Sequence, residues 1–185
     1  MSDFDKINLL SRRQVIKYGG SVFIIGVMGG FDRASADLTV VSSGWRFCNK
    51  CQVLFNTRHD SGSCASGGIH IAQGYNFFFP LRVPGTPTAQ KNWRRCTKCQ
   101  AMFFNGYQEK GRCAAGGGHK ADTDPDSNHA IPHDIPGTPT TQTDWRFCNK
   151  CQAMFYDGYS AKGTCAAGGS HVAQGYNFVL PHDRP

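Results

Sequence analysis

Twelve side chains in this sequence are suited to holding a metal ion, and they fall into three sets of one spacing. The sets are Cys48, Cys51, Cys64 and His70; Cys96, Cys99, Cys113 and His119; and Cys148, Cys151, Cys165 and His171. In each, two cysteines stand three apart, a third follows 13 or 14 residues later, and a histidine closes the set 6 residues after that. Three thiolates and an imidazole make a tetrahedral ligand set, and a C-x-x-C turn puts two sulfurs on one ion. Zinc, three per chain, is the expected ion, because it takes these ligands without redox chemistry; iron, singly or in a cluster, accepts similar ligands and stays open. Four protein ligands also close the coordination shell, whereas a catalytic zinc keeps a position for water or substrate.

All 9 cysteines belong to the sets, and 3 per repeat is an odd number that cannot pair off inside one repeat. A disulfide framework would leave a thiol over. The C-x-x-C pairs also suggest thiol–disulfide exchange, although that chemistry requires neither the third cysteine nor the histidine. The sequence contains no G-x-S-x-G elbow, phosphate loop or H-E-x-x-H. The reading is therefore a structural metal protein without an assigned catalytic residue.

The ligands need positioning elements, and those repeat too. Trp45, Trp93 and Trp145 precede the knuckles, Phe55, Phe103 and Phe155 follow them, and Gly-rich stretches such as C-A-A-G-G-S-H lead to the histidines. Short apolar runs on either side of the knuckle predict strands, and nothing holds a helical period, so the expected class is mostly β. A repeat of about forty residues seldom buries enough apolar surface to fold without a staple. The predicted organisation is a segment at 1–36, a leader at 37–44, repeats at 45–81, 93–133 and 145–185, and linkers at 82–92 and 134–144. Both linkers carry P-G-T-P-T, which predicts semi-stiff connectors and three zinc-ribbon-like modules in tandem. The alternative is closure of the three copies around a pseudo-threefold axis, as in a β-trefoil.

Ser11-Arg12-Arg13-Gln14-Val15-Ile16-Lys17, a glycine-containing apolar stretch from Tyr18 to Phe31 and the small-residue site Ala34-Ser35-Ala36 resemble a twin-arginine signal peptide. The resemblance implies export of a folded, metal-loaded protein to the periplasm or beyond, with cleavage after Ala36 and no membrane anchor left. The repeat W-x-x-C-x-K-C followed by C-x-x-G-G-x-H looks like the short cysteine–histidine repeats of secreted bacterial proteins. That likeness brings no substrate with it.

The net charge of +7 invites a nucleic-acid reading. Residues 37–185 carry 15 Lys and Arg against 10 Asp and Glu. Nine thiolates on three dications remove a further net three charges, leaving about +2, too little for a strong basic footprint. Tyr75, Asn76, Tyr107, Tyr159, Tyr176 and Asn177 are the candidate ligand contacts, since tyrosine beside an amide stacks on and hydrogen-bonds a sugar or peptide. The leading function is thus an exported, non-enzymatic binding module with a glycan or surface polymer as candidate partner. Redox exchange, metal buffering and nucleic-acid binding are the alternatives.

Overall fold

The structure, a computed structural model, describes residues 41–183. Residues 1–36, read above as resembling a signal peptide, lie outside the described residues. Each repeat is a three-stranded antiparallel sheet whose first strand lies between the other two. Repeat one contributes β1 (Val41–Cys48), β2 (Leu54–Asn56) and β3 (Ala72–Pro80). Repeat two contributes β4 (Ala89–Arg95), β5 (Met102–Phe104) and β6 (His129–Pro132). Repeat three contributes β7 (Thr141–Cys148), β8 (Met154–Tyr156) and β9 (Ala173–Asp183). The expected mostly-β class is what is found, and no α-helix occurs among the described residues.

The three copies close on one another; of the two arrangements read from the sequence, the pseudo-threefold closure is present and the string of separate beads is not. Single β-bridges Phe55↔Ala101, Phe103↔Ala153 and Val53↔Phe155 link each repeat to the next and return to the first. The amides of Asn56, Phe104 and Tyr156 repeat the cycle, donating to the carbonyls of Gln100, Gln152 and Gln52. β3 also pairs with the end of β9, joining repeats one and three in a six-stranded sheet.

Closure follows from how little each repeat can bury alone. Trp145 packs edge-on against Phe47 and Phe77 of repeat one, and Trp93 against Phe147 and Phe178 of repeat three. Both tryptophans are fully buried, between these rings from a neighbour and Phe104 or Tyr156 of their own repeat. The P-G-T-P-T segments run exposed over the outside and do not hold the repeats apart. Two layers of core result. The inner one gathers all nine cysteines with Val53, Ala101, Ala153, Phe55, Phe103 and Phe155, and the outer one gathers the tryptophans with Leu54, Met102, Met154 and their aromatic partners.

One joint breaks the symmetry. Where repeats one and three place Phe77 and Phe178, repeat two has His129, 1% exposed, edge-on to Trp45 and beside Phe79, with neither ring nitrogen hydrogen-bonded. Burial pushes its pKa down to about 4, with Arg94 adding to the effect and Asp122 opposing it. A histidine kept neutral in the fold contributes full stability above its unfolded pKa near 6.5 and loses it as pH falls towards 4. His129→Phe is expected to stabilise the protein by about 1–2 kcal/mol at pH 7, where two unpaired nitrogens disappear. It should also spare about 3 kcal/mol of the loss between pH 7 and 4. Melting series of both proteins over that range test this. The difference between the curves isolates His129 from the ligand thiols, which both proteins share.

Candidate metal centres

Each ligand set is built from the end of one strand, the knuckle after it and a glycine-rich loop. Cys48, Cys96 and Cys148 sit at or just beyond the last residue of β1, β4 and β7. The knuckle closes when the amide of Gln52, Gln100 or Gln152 donates to the carbonyl of that cysteine, at 2.8–2.9 Å. All three glutamines adopt positive φ, 63° to 66°, the left-handed residue that turns the chain out of the knuckle after the second cysteine and into the next strand. In the second loop the amides of Cys64, Cys113 and Cys165 donate to the carbonyls of Gly68, Gly117 and Gly169. Further amides point at sulfur, from Lys120 to Cys96 and from Ala115 and Ala167 to Cys113 and Cys165.

All twelve predicted ligands come together as three buried clusters, the four ligand atoms of each lying within 4.8 Å of one another. First and third cysteine sulfurs are 3.9, 3.8 and 3.8 Å apart in the three sets. The second cysteine sulfur lies 3.4, 3.6 and 3.5 Å from histidine Nδ1. A tetrahedral ion with bonds of about 2.3 Å to sulfur and about 2.0 Å to nitrogen implies edges of roughly 3.8 Å and 3.5 Å. The residues therefore fit a single ion in each set. The sulfur separations are far from the ~2.05 Å of a disulfide, and all nine cysteines are free. They are also too short to admit a cluster with bridging sulfides between the ligands, so of the ions considered a lone zinc or iron fits and an iron–sulfur cluster does not.

The electrostatics ask for a cation. In set one the hydrogen bond from Cys51 draws the Cys48 thiol down to about 3 and Cys64 down to about 6, against burial. The same bonds, with burial, push Cys51 above the ordinary thiol range. Cys96 and Cys148 are likewise lowered, and Cys99 and Cys151 raised. For His119 and His171 burial opposes protonation, but hydrogen bonds to Cys113 and Cys96, and to Cys148 and Cys165, outweigh it and raise both to about 9. Thiolate charge is crowded into a buried space where protons must be retained to balance it. A dication balances it instead.

Histidine orientation is fixed from outside the set. With Nδ1 turned to sulfur, Nε2 carries the proton and donates to a backbone carbonyl 3.0–3.2 Å away, as metal-ligating histidines commonly do. Phe55, Phe103 and Phe155 stack on His70, His119 and His171 at 4.6–4.7 Å and wall each centre.

The other candidate contacts scatter over the surface. Tyr107 and Tyr159 are 53% and 52% exposed and lie edge-on over Phe104 and Phe147, and over Tyr156 and Phe47. Tyr176 stacks on His133 and Tyr75 on His182, both at 3.7 Å. Asn177 is committed to the fold: its side chain exchanges hydrogen bonds with Asp144, and its backbone with Asp134. Asn76 is exposed on β3 opposite Arg46 and Asp183.

Sequence reasoning did not single out His133 and His182. Their signal was the shared Pro-His-Asp at the ends of repeats two and three, where repeat one has Pro-Leu-Arg. At that joint Arg82 instead pairs with Asp126. Asp122 binds Arg95, and Asp124 caps a single 3-10 turn, Pro125–Ser127. This acidic stretch is a hydrogen-bonded turn. Arg46, Arg94 and Arg146 bind carbonyls of the last strand or the loop before it, and Lys50, Lys98 and Lys150 bind the glycine loop. No protein-family model, curated protein or solved structure matches the chain. No helix among the described residues is long and apolar enough to cross a membrane.

Proposed function

We propose that this chain is an exported, non-enzymatic binding protein stapled by three zinc ions. The observation that carries this reading is the closure of each ligand set. Every ligand is 0–7% exposed, and all four corners of the tetrahedron are protein atoms. An ion held so serves the fold and meets no substrate. The same burial argues against the redox alternative, since exchange needs a thiolate that another disulfide can reach.

Recognition then falls to the exterior. Tyr107 and Tyr159 occupy equivalent places in repeats two and three, each presenting a ring above an aromatic base. Their loops are held stiff: Lys110 donates to the carbonyls of Asn105 and Tyr107, and Lys162 to that of Asp157. Rigid, half-exposed tyrosines in two copies suit a glycan or surface polymer, whose repeating units engage both copies and add avidity to weak single contacts.

Calorimetric titration with purified envelope polysaccharides and their soluble oligosaccharides tests this. Binding is expected, and Tyr107→Ala with Tyr159→Ala together should weaken it at least tenfold while metal content and melting temperature hold. Failure to bind any of these polymers, or a double variant that binds like the parent, contradicts the reading.

A further inference from the structure

We propose that the three centres load metal as one unit, because the outer shell of each is supplied by another repeat. This rests on the reading that the sets hold metal, and it concerns how they do so. His70 Nε2 donates to the carbonyl of Cys99 at 3.2 Å, His119 to that of Cys151 at 3.0 Å, and His171 to that of Cys51 at 3.1 Å. Every acceptor is the backbone of the second cysteine in a different set. The bonds therefore run from set one to two, two to three, and three back to one.

The same three carbonyls are gripped a second time. Gly62, Gly111 and Gly163 lie so close that a Cβ would sit 2.3, 2.2 and 2.3 Å from the carbonyl oxygens of Cys99, Cys151 and Cys51. One residue further along each knuckle, the glutamine carbonyls accept the inter-repeat amide bonds that complete the cycle. The second cysteines and the histidines of all three sets, finally, line a single cavity.

These contacts make each ion a condition for its neighbours. An ion on His70 Nδ1 fixes the ring and leaves the proton on Nε2, the form that donates to Cys99. That bond holds the 96–100 knuckle in the shape set two requires. Set two does the same for set three, and set three for set one. An ion bound anywhere stabilises the arrangement that all three need, which is positive coupling between sites. A repeat on its own lacks both the carbonyl its histidine uses and the histidine its carbonyl serves.

The test is native mass spectrometry of the metal-free, reduced protein given one equivalent of zinc. Free chains and three-ion chains should dominate, with one- and two-ion species scarce. A distribution in which one- and two-ion species prevail overturns the coupling and leaves the metal reading standing, whereas no uptake at all removes both. A second measurement uses Gly62→Ala, which keeps all twelve ligands and presses on the Cys99 carbonyl of repeat two, with Gly67→Ala, left-handed but with open space at its Cβ, as the control for backbone strain. Cobalt titration, followed by the thiolate-to-metal absorption band, should show affinity lowered at least tenfold at all three sites. Loss confined to one site would overturn the proposal.

Discussion

Stripping the metal is expected to unfold all three repeats together. A strong chelator added to the native protein should abolish the near-ultraviolet circular dichroism of Trp45, Trp93 and Trp145 in one cooperative step, restored by zinc under reducing conditions. The reason is one of magnitude. Structural zinc contributes about 10–16 kcal/mol of apparent binding free energy, whereas a domain of this size retains only about 5–15 kcal/mol of net stability. The cysteines form the inner core itself, with Phe55, Phe103 and Phe155 packed on the ligand rings, so losing the ions removes the layer against which the outer, tryptophan-centred core is built. Without the ion each set leaves crowded thiols and a histidine in a dry space. Cys99→Ser should reproduce the effect of chelation. Retention of the tryptophan signal without metal would mean that the ions decorate a fold that stands by itself.

The second large effect separates two glycines five residues apart. Gly163, at φ +62°, has the Cys51 carbonyl where a Cβ would go, 2.3 Å from oxygen and 2.7 Å from carbon. Gly168, at φ +94°, has nothing within 4 Å of that position. Alanine at 168 meets only the backbone cost of a left-handed residue, about 1–2 kcal/mol. Alanine at 163 adds a collision with backbone that is itself part of a ligand set, so more than about 4 kcal/mol is expected, in the range of the most damaging substitutions. In melting temperature this is a drop of about 10 °C or more for Gly163→Ala, against a few degrees for Gly168→Ala. Zinc-loaded protein should be melted in both cases. Equal drops would show that the joint between repeats one and three has slack that the geometry denies.

The ligand sets were legible in the sequence because metal chemistry fixes residue type and spacing at once, three times over. Strand class was legible for a similar reason: short apolar runs flank each knuckle, and helical periodicity is absent. The closure was harder to read. P-G-T-P-T segments look alike whether they separate beads or wrap a closed ring, and what decides between the two is whether Trp93 and Trp145 find covers in their own repeat or a neighbour. Besides Phe104 and Tyr156 of their own repeats they find Phe147 and Phe178, or Phe47 and Phe77, in a neighbour. The substitution of His129 for phenylalanine was visible as a departure from the repeat. Its burial was not, because histidine is read as a surface residue unless a neighbour removes its water. The glycines at 62, 111 and 163 differ from their glycine-rich surroundings only through the carbonyl they meet from another repeat, which local sequence does not carry. Tyrosine beside asparagine looked like a ligand contact at 176–177, yet Asn177 spends its amide on Asp144.

The central claim is that three closed metal centres hold this protein together. Elemental analysis of the purified native protein, paired with a count of thiols open to alkylation, tests it most directly. The account predicts about three zinc per chain and no reactive thiol until the protein is denatured with chelator, when all nine should react. Protein without metal, with disulfides or with thiols that alkylate in the native state, would contradict it and return the C-x-x-C pairs to redox chemistry.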